Sequence, residues 1–119
     1  MNKLGFCYEN DNGVEKDEKR TFEWYQKAAE TGDGNSMFHL AVCYEYGIGT
    51  YKDEEKAFEW YQKGASVGNC YAMGNLGSCY EYGKGIEKNL KKAFEWYQRT
   101  VDNIDNHFYK AKCYYTIAN

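Results

Sequence analysis

Proline is absent from the 119 residues, so no ring forbids a helix, and breaks in the chain must come from its 12 glycines. No apolar run approaches the ~18 residues of a membrane span. Met1-Asn2-Lys3-Leu4-Gly5 lacks the apolar stretch of a secretory signal. Charge of one sign is also missing: 15 Lys and Arg are interleaved with 18 Asp and Glu, for a net charge of -3. A phosphate backbone would find no basic face, which argues against nucleic acid as a partner. The five cysteines are an odd number, and Cys7, Cys43, Cys79 and Cys113 share one register where a small apolar residue would pack, so reduced thiols are expected. These absences together place the chain as a soluble, cytoplasmic protein without a membrane partner.

What is present is repetition. Phe22-Glu23-Trp24-Tyr25-Gln26 recurs as Phe58 to Gln62 and Phe94 to Gln98, each copy displaced by 36 residues. A period of this size with helical patterning means two helices per unit and a solenoid. The predicted fold class is all-α, an α/α superhelix of antiparallel helix pairs. Tyrosine and tryptophan dominate an aromatic share of 18% and supply the side chains that pack unit on unit.

Each unit has two anchors. Cys7-Tyr8-Glu9 recurs at Cys43 and Cys79 and marks the first helix, helix A. Ala72, Leu76, Cys79, Tyr80 and Gly83 fall on one face of that helix, which predicts burial. Gly77, near the edge of this face, is small enough to admit a neighbouring helix. Gly47 and Gly83 are placed to end helix A, with Gly49 and Gly85 following two residues later. The first unit has Asp11 at the stop and keeps Gly13. Asp17, Asp53 and Asn89 share a register as N-caps of helix B. Ala57, Trp60, Tyr61, Gly64 and Ala65 then form its apolar face, and Gly32 and Gly68 end its first two copies.

The units divide as a partial unit 1–32, full units 33–68 and 69–103, and a degenerate terminal helix 104–119. Two residues are missing between Trp96 and Cys113 relative to the earlier copies. Lys110 replaces Leu76, and Lys112 replaces Ser78, making the last helix polar as a capping element should be. The chain starts inside helix A, which predicts a truncated N-terminal edge.

These residues resemble a known family. Leu76-Gly77, Tyr80, Gly83, Gly85, Ile86, Lys92-Ala93 and Trp96-Tyr97 look like the Sel-1-like repeat, a relative of the tetratricopeptide repeat. The central copy agrees through Leu40, Tyr44, Gly47, Gly49, Asp53, Lys56-Ala57, Trp60-Tyr61, Lys63, Ala65 and Gly68. The resemblance implies a right-handed superhelix with helix A lining the concave side. It also implies an adaptor or scaffold in signalling, protein quality control or complex assembly, in arrays often placed beside other domains. Thr21 and Thr50 depart from the pattern. The cysteine-rich secreted branch of the family pairs two cysteines in every repeat. Here only the third unit has two, and Cys70 and Cys79 lie about 13 Å apart along one helix, too far to bridge.

Catalytic chemistry has no visible carrier. Gly47-Ile48-Gly49 and Gly83-Lys84-Gly85 resemble phosphate loops, but no strand precedes them and no Ser or Thr follows the lysine motif. Helix stops explain both copies. His39 and Cys43 have a spacing that can share zinc, yet two further ligands are lacking nearby, and packing explains Cys43. Some relatives are linked to β-lactam binding, but no Ser-x-x-Lys occurs here: Ser36, Ser66 and Ser78 lead to His39, Asn69 and Glu81. Lys52-Asp53-Glu54-Glu55-Lys56 reads as a capped, solvated helix start. No metal or cofactor is expected. Trp24, Trp60 and Trp96 have the register of the helix B core, where the loss of one is expected to cost about 3 to 5 kcal/mol.

The remaining candidates lie on helix A opposite its buried face. Phe6, Val42 and Ser78 share one register, Phe38, Gly74 and Phe108 another, and Glu9, Glu45 and Glu81 a third, with His39, Tyr46 and Tyr82 nearby. On a concave face these make an acidic ladder flanked by aromatics, suited to a basic or amphipathic segment. The alternative is solvated glutamates and tyrosines packed on adjacent loops. The expected function is a non-enzymatic scaffold or adaptor that binds a protein or peptide segment. The competing reading is a regulatory or structural array within a larger protein, fused for example to a kinase or another catalytic domain.

Overall fold

The computed structural model describes residues 11–102, with side chains from Asp17 onward. Among them are five helices and no strand: α1 (Asp11–Glu30), α2 (Gly34–Tyr46), α3 (Glu54–Ser66), α4 (Cys70–Tyr82) and α5 (Leu90–Asp102). Helix A of the repeat is α2 and α4, and helix B is α1, α3 and α5. The expected all-α superhelix of antiparallel pairs is the fold observed.

The helices start and stop where side-chain chemistry permits. Asp33, Asp53, Asn69 and Asn89 each accept from the amide three residues on, at 3.2, 3.1, 2.9 and 3.0 Å, satisfying a donor that the first turn leaves free. At the far end of helix A, Gly47 and Gly83 take left-handed φ of 70° and 69°. Their amides close back on the Cys43 and Cys79 carbonyls. The next amides, of Ile48 and Lys84, reach the same carbonyls at 2.9 Å. The turn then closes by Asp53 N–H to the Tyr44 carbonyl at 2.7 Å, repeated from Asn89 to Tyr80 at 2.8 Å.

The second glycine of each turn serves a different purpose. A Cβ on Gly85 would lie 2.1 Å from the carbonyl oxygen of Glu54, and one on Gly49 would lie 2.2 Å from that of Glu18. Each turn therefore presses backbone to backbone on helix B of the preceding unit.

The first unit departs from the expected boundary. Asp17 does not cap a helix there, because α1 runs unbroken from Asp11 through Glu30. Asp11 stands where Gly47 and Gly83 end helix A, and a Cβ makes the left-handed stop costly. The polar helix expected at 104–119 and the N-terminal residues of helix A lie outside the described residues.

The core lies between the two helix layers. Leu40, Ala41, Cys43 and Tyr44 of α2, and Ala72, Leu76, Cys79 and Tyr80 of α4, are buried as the periodicity predicts. So are Ala57, Tyr61, Gly64 and Ala65 of α3. A Cβ on Gly77 would come within 2.7 Å of the Tyr97 ring, and one on Gly64 within 2.8 Å of the Ala72 methyl. These glycines set the spacing within and between units. Helices α2 and α4 touch directly, whereas α1, α3 and α5 do not touch one another. The helix A layer therefore lies on the inner side of the curve.

Candidate interaction surface

The repeated pentapeptide does not bury its tryptophan. Phe22 and Phe58 point into the core, each meeting a helix A tyrosine edge-on, Tyr44 at 5.4 Å and Tyr80 at 5.5 Å. Trp24 is 64% exposed, and Trp60 and Trp96 are only half-buried against the core. The expected burial of the tryptophans in the helix B core is thus corrected. Phenylalanine and tyrosine fill the interior, while the indoles lie along its margin. Lys63 Nζ sits 4.2 Å from the Trp60 ring centre and the Arg99 guanidinium 4.8 Å from that of Trp96. Among the described residues no cation is placed over Trp24.

The glutamate ladder is corrected as well. Glu45 is only 8% exposed. One of its oxygens accepts from the Tyr61 hydroxyl at 2.6 Å, and the other pairs with Lys84 Nζ at 3.0 Å. Helix B supplies the first partner and the following unit supplies the second. Glu45 is therefore an internal tie between units. Glu81 repeats half of this arrangement: the Tyr97 hydroxyl donates to it at 2.6 Å, and that same hydroxyl lies 3.2 Å from Ser78 Oγ. Ser78 is thus drawn into the same contact. Glu9 and Phe6 lie outside the described residues.

The node also shapes acid–base behaviour. Burial, reinforced by the charge and hydrogen bond of Glu45, raises the Tyr61 phenol far above its ordinary range. Its hydrogen bond to Glu45 holds the Lys84 ammonium above its usual value. Burial pushes the Cys43 thiol up to about 11 and the Cys79 thiol to about 12. Both thiols are free, neutral at physiological pH and poor metal ligands in that form. Among the described residues no group of three or more metal-ligating side chains converges. Cys70 departs from the expectation of reduced thiols: it is disulfide-bonded. Because Cys79 is free, the bond is not to Cys79.

Other predicted positions remain on the surface. Tyr46 and Tyr82, one repeat apart at the end of helix A, are 66% and 65% exposed. Lys84 lies 5.7 Å from the Tyr82 ring centre. Val42 and Phe38 are half-buried against the core, and His39 is exposed.

A strip of rings missed by the repeat alignment crosses three helices. Trp24 meets Tyr25 at 5.4 Å, Tyr25 stacks on His39 at 4.8 Å with an 18° interplanar angle, His39 meets Phe38 at 5.0 Å, and Phe38 meets Tyr71 at 5.6 Å. Although His39 is exposed overall, partial desolvation of its ring between Tyr25 and Phe38 lowers its pKa against the opposing field of Asp33, favouring the neutral ring. The available signal was non-repetition: Phe38, His39 and Tyr71 correspond to Gly74, Asn75 and Asn35 in the other unit.

A family model for the Sel1 repeat matches residues 1–33, 34–69 and 70–103. Three solved structures are similar to this chain. A Sel1 repeat protein from Oxalobacter formigenes superposes with a TM-score of 0.73 at 32% identity, covering 98% of this chain and 46% of that one. The protein c5321, a protective antigen present in uropathogenic Escherichia coli strains and displaying an SLR fold, gives 0.72 at 31% identity over 84% of this chain and 21% of its own. Helicobacter pylori cysteine rich protein B gives 0.67 at 27% identity over 76% and 68%. The chain thus spans about half the length of the first and a fifth of the second. No curated protein matches it.

Proposed function

We propose, from the premise that this chain belongs to the Sel1 repeat family and that Sel1 repeats generally mediate protein–protein interaction, that it is a non-enzymatic scaffold or adaptor binding a polypeptide segment across its helix A side. The observation carrying this reading is the pair Tyr46 and Tyr82. They occupy equivalent positions on the inner helix layer and stay two-thirds exposed, at 66% and 65%, while the neighbouring glutamates are held by Tyr61 and Tyr97. Large amphipathic rings fixed on rigid helices lose little entropy on contact and serve as anchors. Phe38, His39 and Val42 extend the surface along α2.

A peptide library selected against the folded chain tests this. Selected peptides should lose about tenfold or more in affinity against a Tyr46→Ser/Tyr82→Ser variant with unchanged helicity. They should bind normally to Glu23→Ser, which alters an exposed helix B position. Equal binding to the double variant would exclude this face.

A second reading, a regulatory or structural segment of a larger multidomain protein such as a kinase-linked array, is supported by the greater length of the Oxalobacter and Escherichia neighbours. No described helix is long and apolar enough to cross a membrane. With Cys70 disulfide-bonded, the thiol argument for a cytoplasmic location loses one of its members, since such bonds persist best in oxidising compartments.

A further inference from the structure

The three repeat-equivalent tryptophans show what an indole face in this register takes. Trp60 holds Lys63 at 4.2 Å and Trp96 holds Arg99 at 4.8 Å, each cation coming from three residues further along the same helix. Trp24 has Lys27 at the corresponding position, but among the described residues no cation lies over its ring. It is also 64% exposed. The difference coincides with the aromatic strip: Trp24 packs edge-on against Tyr25, and Tyr25 is committed to His39 of the next unit at 4.8 Å. In the following unit Asn75 stands at the position of His39, so Tyr61 has no ring there to stack on.

We infer that the Trp24–Tyr25–His39 strip is a receptor for a cationic side chain, an arginine or lysine, of the bound polypeptide. The inference rests on the interaction reading above and specifies the partner's chemistry at one end of the surface. Aromatic faces attract cations through their ring quadrupole, and a flat guanidinium also stacks on them. Asp33, the carboxylate whose field reaches His39, adds a negative charge. Partial desolvation favours the neutral imidazole, so His39 contributes a further ring without an opposing charge. The preference for a basic segment, first expected from a glutamate ladder whose Glu45 the fold buries, thus acquires a different carrier.

The test uses the whole chain, labelled with nitrogen-15, titrated with an acetylated, amidated Gly-Arg-Gly tripeptide and with its uncharged citrulline counterpart. The three indole N–H signals are assigned by Trp24→Leu, Trp60→Leu and Trp96→Leu. The arginine peptide should shift the Trp24 signal more than those of Trp60 and Trp96, and Trp24→Leu should weaken its binding about two- to fivefold. The Lys27→Gln variant should keep the effect. Equal shifts at all three indoles, equal shifts with citrulline, or a Trp24 signal in the free protein that moves on Lys27→Gln as it does on adding arginine would overturn the proposal. If selected peptides still require Tyr46 and Tyr82 while the arginine peptide ignores Trp24, only this inference fails. Loss of the Tyr46 and Tyr82 dependence with the Trp24 response intact would sink the broader surface alone.

Discussion

Phe58 and Phe94 hold the same place in consecutive units, yet Phe58 is 8% exposed and Phe94 68%. Tyr80 and the Gly85 turn of the next unit lie against the α3 region that carries Phe58, while α5 exposes Phe94 and Leu90. The glutamates differ in the same sense. Glu45 has both oxygens engaged, one by a lysine of the next unit, whereas the described contact of Glu81 is with Tyr97 of its own unit. Identical side chains thus acquire their roles from the unit that follows. In a solenoid, burial is a property of the interface between neighbours.

The sharpest way to break this comparison is to truncate both phenylalanines. Phe58→Ala should cost about 3 to 5 kcal/mol of unfolding free energy, and Phe94→Ala should stay within about 0.5 kcal/mol, measured by urea denaturation. Similar losses would show that α5 is covered as fully as α3. The turn glycines offer a second contrast. Gly85→Ala adds a Cβ 2.1 Å from the Glu54 carbonyl oxygen at φ +73°, whereas Gly68→Ala, at φ +88°, meets nothing within 4 Å. The expected costs are about 2 to 5 kcal/mol for the first, from strain plus overpacking, and about 1 to 2 for the second, from strain alone.

Glu45→Ala should cost about 2 to 3 kcal/mol, because it leaves the Tyr61 hydroxyl buried without its acceptor and Lys84 without its counter-ion. Glu81→Ala should cost about 1 kcal/mol, since the Tyr97 hydroxyl keeps Ser78 within 3.2 Å. A double-mutant cycle between Glu45 and Lys84 would show whether the tie couples adjacent units. Alkaline pH offers a further test. Folding raises the Cys43 and Cys79 thiols from 9.0 to about 11 and about 12, and the Tyr97 phenol from 10.0 to about 12. The unfolded chain therefore releases protons first as pH rises. This stabilisation is complete below pH 9 and declines progressively between about pH 9 and 12. A melting temperature that held steady across that window would contradict the burial of these groups.

Much of the fold was legible in the chain because its cues are local. Glycine at Gly47 and Gly83 ends helix A through its own backbone freedom, and Asp53 and Asn89 cap helix B with an oxygen three residues from the amide they bind. Helical spacing alone marked Leu76, Cys79 and Tyr80 as buried. The candidate surface was less legible. Glu45 has the spacing of an exposed residue, and only Lys84, 39 positions away, and Tyr61 make it an interior one. The tryptophans misled for a related reason: their spacing placed them on the apolar face of helix B, and the edge of such a face is buried only as far as its neighbour reaches.

The repeat period, the helix ends and the buried face of helix A are properties of the sequence itself, since each is read from identities, caps or periodicities along the chain. Which of three identical tryptophans stands open, and which of two equivalent glutamates is enclosed, was decided by tertiary structure. Those outcomes depend on which surface the next unit presents, and no helix carries that information in its own residues.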